Sequence, residues 1–215
     1  RELKIDPNNA DVLYAPTDHG LLKCSNATST SAVPTWTKLA TPTTASENFN
    51  SVQFHPTTAN TLYTASTEIL KSIDNGSTWT AMTGAGTTLD FSTLSDNFTP
   101  LRIKLAVSAA APDRLYANIF GIRTVTGTHT YLGRLVKYIY VYKNGSWSQA
   151  YSQFNSANST ISSITPSFLA IAVSPNDAEH IHHASVKYIH GTKIATSSTY
   201  SYELDGILGE PHDDF

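Results

Sequence analysis

Apolar and polar residues alternate along the chain in short runs with a period of two, the spacing of half-buried β-strands. The first run is Leu3-Lys4-Ile5-Asp6-Pro7-Asn8-Asn9, followed by Val12-Leu13-Tyr14-Ala15. The phrase returns as Val52-Gln53-Phe54-His55-Pro56 with Thr61-Leu62-Tyr63-Thr64, and as Leu105-Ala106-Val107-Ser108 with Arg114-Leu115-Tyr116-Ala117. A fourth copy is Ile171-Ala172-Val173-Ser174-Pro175-Asn176-Asp177 with His180-Ile181-His182-His183. In each copy a first strand turns at Pro or Asn and runs into a second. Third and fourth strands are predicted at 20–25 and 35–39, at 68–72 and 78–82, and at 135–142 leading to Trp147. In the last copy they are predicted at 193–197 and 200–204. The step from Tyr14 to Tyr63 to Tyr116 is about fifty residues, which suits a four-stranded propeller blade. The predicted blades are 1–39, 49–82, 100–151 and 166–207, with 208–215 opening a further one.

One stretch is more specific than the rhythm: Ser72-Ile73-Asp74-Asn75-Gly76-Ser77-Thr78-Trp79. Gly76 supplies the positive φ of a tight turn, and Asn75 tolerates the left-handed region. Asp74 can fold its carboxylate onto N–H groups of its own turn, and Trp79 brings a ring that needs burial. The pattern S-x-D-x-G-x-T-W resembles the Asp box of the BNR-repeat β-propellers, the fold of sialidases, sortilin-type receptors and xyloglucanases. Ser72, Asp74, Gly76, Thr78 and Trp79 match it. The first repeat keeps only Trp36, and the third keeps Asn144-Gly145-Ser146-Trp147 without the Asp. The resemblance implies an all-β propeller of four-stranded antiparallel blades, with Trp36, Trp79 and Trp147 at equivalent places between sheets. About four blades are present, too few for a typical ring, so the expectation is a fragment completed by further blades or a sister chain.

Composition narrows the function. Of 215 residues 14% are charged and the net charge is −3, which gives no basic field for nucleic acid. No apolar run approaches the ~18 residues of a membrane span. Cys24 is alone, so no disulfide forms within the chain. Abundant Ser, Thr and Asn point to a secreted or cell-surface protein. N-x-S/T sequons stand at Asn26, Asn75, Asn97, Asn144 and Asn158. The chain opens on Arg1 with neither Met nor signal peptide, as expected of a mature or processed piece of something longer.

Candidate chemistry follows from blade topology. First-to-second and third-to-fourth turns share one edge, and the longer connections at 40–48, 83–99, 121–134 and 152–165 share the other. Long loops on a rigid scaffold are where binding and catalysis sit, so the Asp box reads as a structural clamp. On the long-loop edge Thr17-Asp18-His19-Gly20 resembles the strand end where xyloglucanase-like propellers place a catalytic Asp. The same four residues also make an ordinary turn. The arm 121–134 holds Arg123, His129, Tyr131 and Arg134, cations and an aromatic suited to a carboxylate or a sugar ring. Glu68 reads as an exposed carboxylate. A glycosidase needs a second carboxylate, and no partner for Asp18 stands out. None of Arg1, Arg102, Arg114, Arg123 and Arg134 fits the three-Arg clamp of sialidases. The histidines at 180, 182, 183 and 190 lack zinc-ligand spacing. No metal or cofactor is expected, although His212-Asp213-Asp214 could hold a cation.

The leading reading is therefore a non-catalytic propeller module that binds a glycan or protein partner through His19, Arg123, His129, Tyr131 and Arg134. The alternative is a glycoside hydrolase resembling the xyloglucanase or sialidase propellers, with Asp18 as a catalytic carboxylate.

Overall fold

A computed structural model describes residues 2–42, 47–94, 98–123, 134–154, 169–185, 188–193 and 198–203. At 134, 135, 153, 154, 185, 188–193 and 198–203 the description is of backbone only. The fold is all-β. The described residues form four four-stranded antiparallel sheets, each with its strands in chain order, which is the up-and-down meander of a propeller blade. The chain divides into two compact units, Arg1–Asp90 and Phe91–Phe215, each with two sheets.

In the first unit one sheet is β1 (Lys4–Asp6), β2 (Asn9–Thr17), β3 (Gly20–Cys24) and β4 (Trp36–Lys38). The other is β5 (Ser51–Phe54), β6 (Leu62–Ala65), β7 (Ile69–Ser72) and β8 (Thr80–Ala81). Alternation sends Val12, Tyr14 and Leu21 to one face, where they meet Val52, Leu62, Leu70 and Phe49 in a shared core. Leu39, Phe54 and Trp79 close over it, with the Phe54 ring edge-on to Tyr14 at 5.4 Å. The carboxylate of Glu2 staples the first sheet to the second by accepting from Val52 N (2.6 Å) and Ser51 Oγ (2.7 Å).

In the second unit β9 (Phe98–Ala106), β10 (Leu115–Arg123), β11 (Arg134–Lys143) and β12 (Ser146–Phe154) form a long sheet. The last sheet is β13 (Ala170–Val173), β14 (His180–Ser185), β15 (Tyr188–Lys193) and β16 (Ser198–Glu203). Ala106, Tyr116, Ile139, Val141 and Ile181 make the core between these two sheets. The repeated tyrosine has the same job in both units. Tyr14 and Tyr116 are fully buried and donate their hydroxyls to backbone carbonyls of the neighbouring sheet's turns, Asn75 O at 3.0 Å and Ala178 O at 2.7 Å. Desolvation raises the pKa of both phenols.

Three expectations are corrected. The third repeat's first strand starts at Phe98, well before Leu105. Pro100 hides it in the sequence, yet an edge strand tolerates a residue that cannot donate. The third strand of the last sheet ends at Lys193 where it was expected to begin, because Lys193 pairs with His180 at the start of β14. Trp36 is not equivalent to Trp147. It is 40% exposed against 7%, while Trp79 is half-buried. Trp36 lies in the cross-strand row Ile5–Leu13–Cys24–Trp36, on the face turned away from the Tyr14 core, where Leu3 and Ile5 are exposed too.

Candidate functional site

The β2–β3 hairpin turns through only Asp18 and His19, because Thr17 and Gly20 are already paired. Gly20 has φ +121, a backbone that side chains rarely adopt. Thr17 Oγ1 donates to Gly20 O (2.7 Å) and accepts from His19 N (3.2 Å), which holds the two tip residues outward. Asp18 Oδ1 lies 2.7 Å from His19 Nδ1, with the side chains 53% and 88% exposed.

Two residues outside the sequence-level candidates join this edge. Lys38, near the end of β4, lies across Gly20 so closely that a Cβ there would sit 2.7 Å from its Cε. Its ammonium donates to Glu47 Oε1. That hydrogen bond, the Lys38 charge and, more weakly, His19 lower the Glu47 pKa, so the carboxylate is ionised at neutral pH. Phe49 N donates to Thr17 O (2.8 Å), tying the 47–50 segment to the hairpin. Sequence offered no signal for Glu47, because its approach depends on how the link between the sheets folds back. The turn 66–68 sits at the corresponding end of β6, with Ser66 N donating to Glu68 O at 3.0 Å. Glu68 is half-buried.

Ser72, Asp74, Gly76 and Thr78 lie at the β7–β8 turn and spend their polar atoms internally. Asp74 Oδ1 accepts from Ser72 Oγ (2.7 Å) and Thr78 N (2.8 Å), and Oδ2 accepts from Thr78 Oγ1 (2.6 Å). Gly76 N donates to Ser72 Oγ at 2.8 Å. Asn75 and Gly76 have φ 57 and 85. The Thr78 hydroxyl first, then its N–H and Ser72, hold the Asp74 carboxyl down at about 2. Lys23 and Tyr14 both reach Asn75 O, and Asn75 Nδ2 donates to Asn60 Oδ1, so the turn is bound to both sheets of its unit.

The arm at 121–134 is largely strand at its ends. Arg123 pairs with both Phe98 and Arg134 in the ladder, and Arg123 is half-buried. His129 and Tyr131 lie outside the described residues, as does the side chain of Arg134. Asp18 and His19 are brought together in the first unit; Arg123 and Arg134 are backbone partners in the second.

Among the described residues no group of three His, Cys, Asp or Glu could hold a metal. The His180 and His182 rings stack at 6.0 Å, whereas His183 points to the other face and is buried. His212, Asp213 and Asp214 are outside the described residues. Of the sequons, Asn26 donates its amide to Val33 O and Asn75 to Asn60 Oδ1, Asn144 is a left-handed turn residue, and Asn97 and Asn158 are outside the described residues. No helix among the described residues is long and apolar enough to cross a membrane.

No known sequence family and no curated protein matches the chain. Among solved structures it is similar to the GH74 enzyme of Niastella koreensis, at 21% identity and a TM-score of 0.45 over 94% of this chain and 37% of that one. It is also similar to YCF48, solved bound to a D1 peptide, at 12% identity and a TM-score of 0.35 over 94% of this chain and 67% of that one. The chain thus spans little more than a third of the length of the GH74 enzyme.

Proposed function

We propose that the chain is a secreted or cell-surface propeller module that binds a glycan or protein partner and does no chemistry of its own. The supporting observation is the state of the carboxylates on the Asp18 edge. A glycosidase acid must keep its proton near neutral pH, which takes burial or a like charge. Asp18 is half exposed beside His19, and Glu47 is exposed and held ionised by Lys38. An anion, an imidazole and an ammonium presented together in water suit recognition of polar groups better than proton transfer. The low charge and the Ser/Thr/Asn-rich composition support the extracellular placement.

The second reading, a glycoside hydrolase, gains one observation: a second carboxylate, Glu47, stands close enough to His19 to feel its charge. The test is a panel of immobilised oligosaccharides and peptides probed with the chain and its Asp18→Asn/His19→Ala variant, with polysaccharide hydrolysis followed in parallel. Binding weakened by the variant without sugar release supports the module. Sugar release that Asp18→Asn abolishes establishes the enzyme instead. Binding unchanged in a folded variant removes this edge from either role.

A further inference from the structure

Lys137 continues the face of β11 that carries Ile139 and Val141 into the core between the two sheets. It is 4% exposed, and its Nζ is buried without a hydrogen-bond partner. The ammonium lies 5.9 Å over the ring of Tyr151, which is 5.0 Å from the ring of His183 on the facing sheet. His183 is 1% exposed. Asn118, diagonal to Lys137 on β10, donates to Ala170 O, while its Oδ1 is buried with no donor.

Among the described side chains, the charged groups that β9 and β11 place on this face are cations. Arg102 lies in the same cross-strand row as Phe120 and Lys137, and Lys104 one row along beside Asn118. From β12 comes Tyr151 and from β14 His183; β10 adds the buried phenol of Tyr116 on this face and Arg123 at its end, and β13 presents no titratable group among the described side chains. The carboxylates nearest in sequence, Asp177 and Glu179, sit in or beside the turn before β14. Glu179 is four residues from His183, roughly 13 Å of strand, and is already held by Arg114. A lone buried cation is costly and sheds its proton. Burial alone pulls Lys137 down to about 8, so a substantial fraction is free amine under mildly alkaline conditions.

We infer that Lys137 is a carbamylation site that takes up carbon dioxide. The Nζ lone pair attacks the carbon, an N–C bond forms, and one C=O electron pair moves onto oxygen. The nitrogen then gives one proton to water, leaving R–NH–COO⁻ and H⁺ with no oxidant or reductant. Access selects the reagent: a small, uncharged, apolar molecule can pass between packed sheets, whereas larger electrophiles cannot reach a side chain this buried. The product also fits the site. Its remaining N–H is a donor of the kind Asn118 Oδ1 lacks, and Arg102 and Lys104 stand on the same face of the sheet.

The test uses the full chain in ¹³C-labelled bicarbonate at mildly alkaline pH. A carbamate carbon resonance is expected in the parent and lost in Lys137→Met, while exposed amines and the N-terminus give the same background in both. Met matches the length of the Lys stem and removes a buried charge, so the variant should fold. Should Lys137→Met fail to fold, Lys137→Gln takes its place and should lose the resonance likewise. Identical resonances in the parent and a folded variant would overturn the assignment.

Discussion

Asp74 shows how a single ionisation is built into a turn. Its carboxyl sits at about 2 in the folded chain against an ordinary 3.8, so the unfolded chain binds its proton more readily. The stabilisation is therefore complete above about pH 4 and disappears as pH falls through 2. Thermal melts from pH 5 to 2 should show a steeper acid loss for the parent than for Asp74→Asn, and parallel curves would refute the turn's share. Gly76 carries the other half of the turn. Alanine there should cost ~1–2 kcal/mol for the left-handed backbone alone, and its Cβ would also press Leu39 Cδ1 at 2.7 Å. Denaturant titration measures the sum. The tryptophans give a third reading at this scale: acrylamide should quench the parent more than Trp36→Phe, because Trp36 is the most open of the three.

At the scale of elements, two contacts decide how strands meet. The β9–β10 ladder shifts register at Gly121, where a Cβ would lie 2.3 Å from Thr99 O and 2.5 Å from the Phe98 ring. A backbone oxygen cannot step aside as a flexible side chain can, so Gly121→Ala should cost ~1–3 kcal/mol by overpacking. An unchanged denaturation midpoint would show that the bulge relaxes freely. Tyr14→Phe leaves the ring in the core but strands the Asn75 carbonyl, with Lys23 Nζ at 3.3 Å as its remaining donor. The expected loss is ~1 kcal/mol, and its absence would mean that Lys23 takes over.

For the whole molecule, far-UV circular dichroism should show strand without a helical double minimum, since the described residues hold sixteen strands and one three-residue 3₁₀ turn, Phe91–Thr93. An appreciable helical signal would contradict the fold. The all-β class, the four-blade rhythm and most inner strands were legible because each blade must bury one face of each strand, and period-two alternation records that locally. The Ser72-to-Trp79 turn was legible for the same reason: its hydrogen bonds close within a few residues. What the sequence alone could not determine depends on partners distant along the chain. Trp36 and Trp79 sit in similar local phrases, yet one faces outward and the other closes a core, according to which face of the sheet has a neighbour. Glu47 joins Asp18 and His19 only because the link after β4 returns to the hairpin. Lys137 reads as an ordinary polar position within β11 until a second sheet covers it, and that covering removes water from its ammonium without supplying an acceptor. Local periodicity fixes which residues share a face; only tertiary packing decides what each face meets.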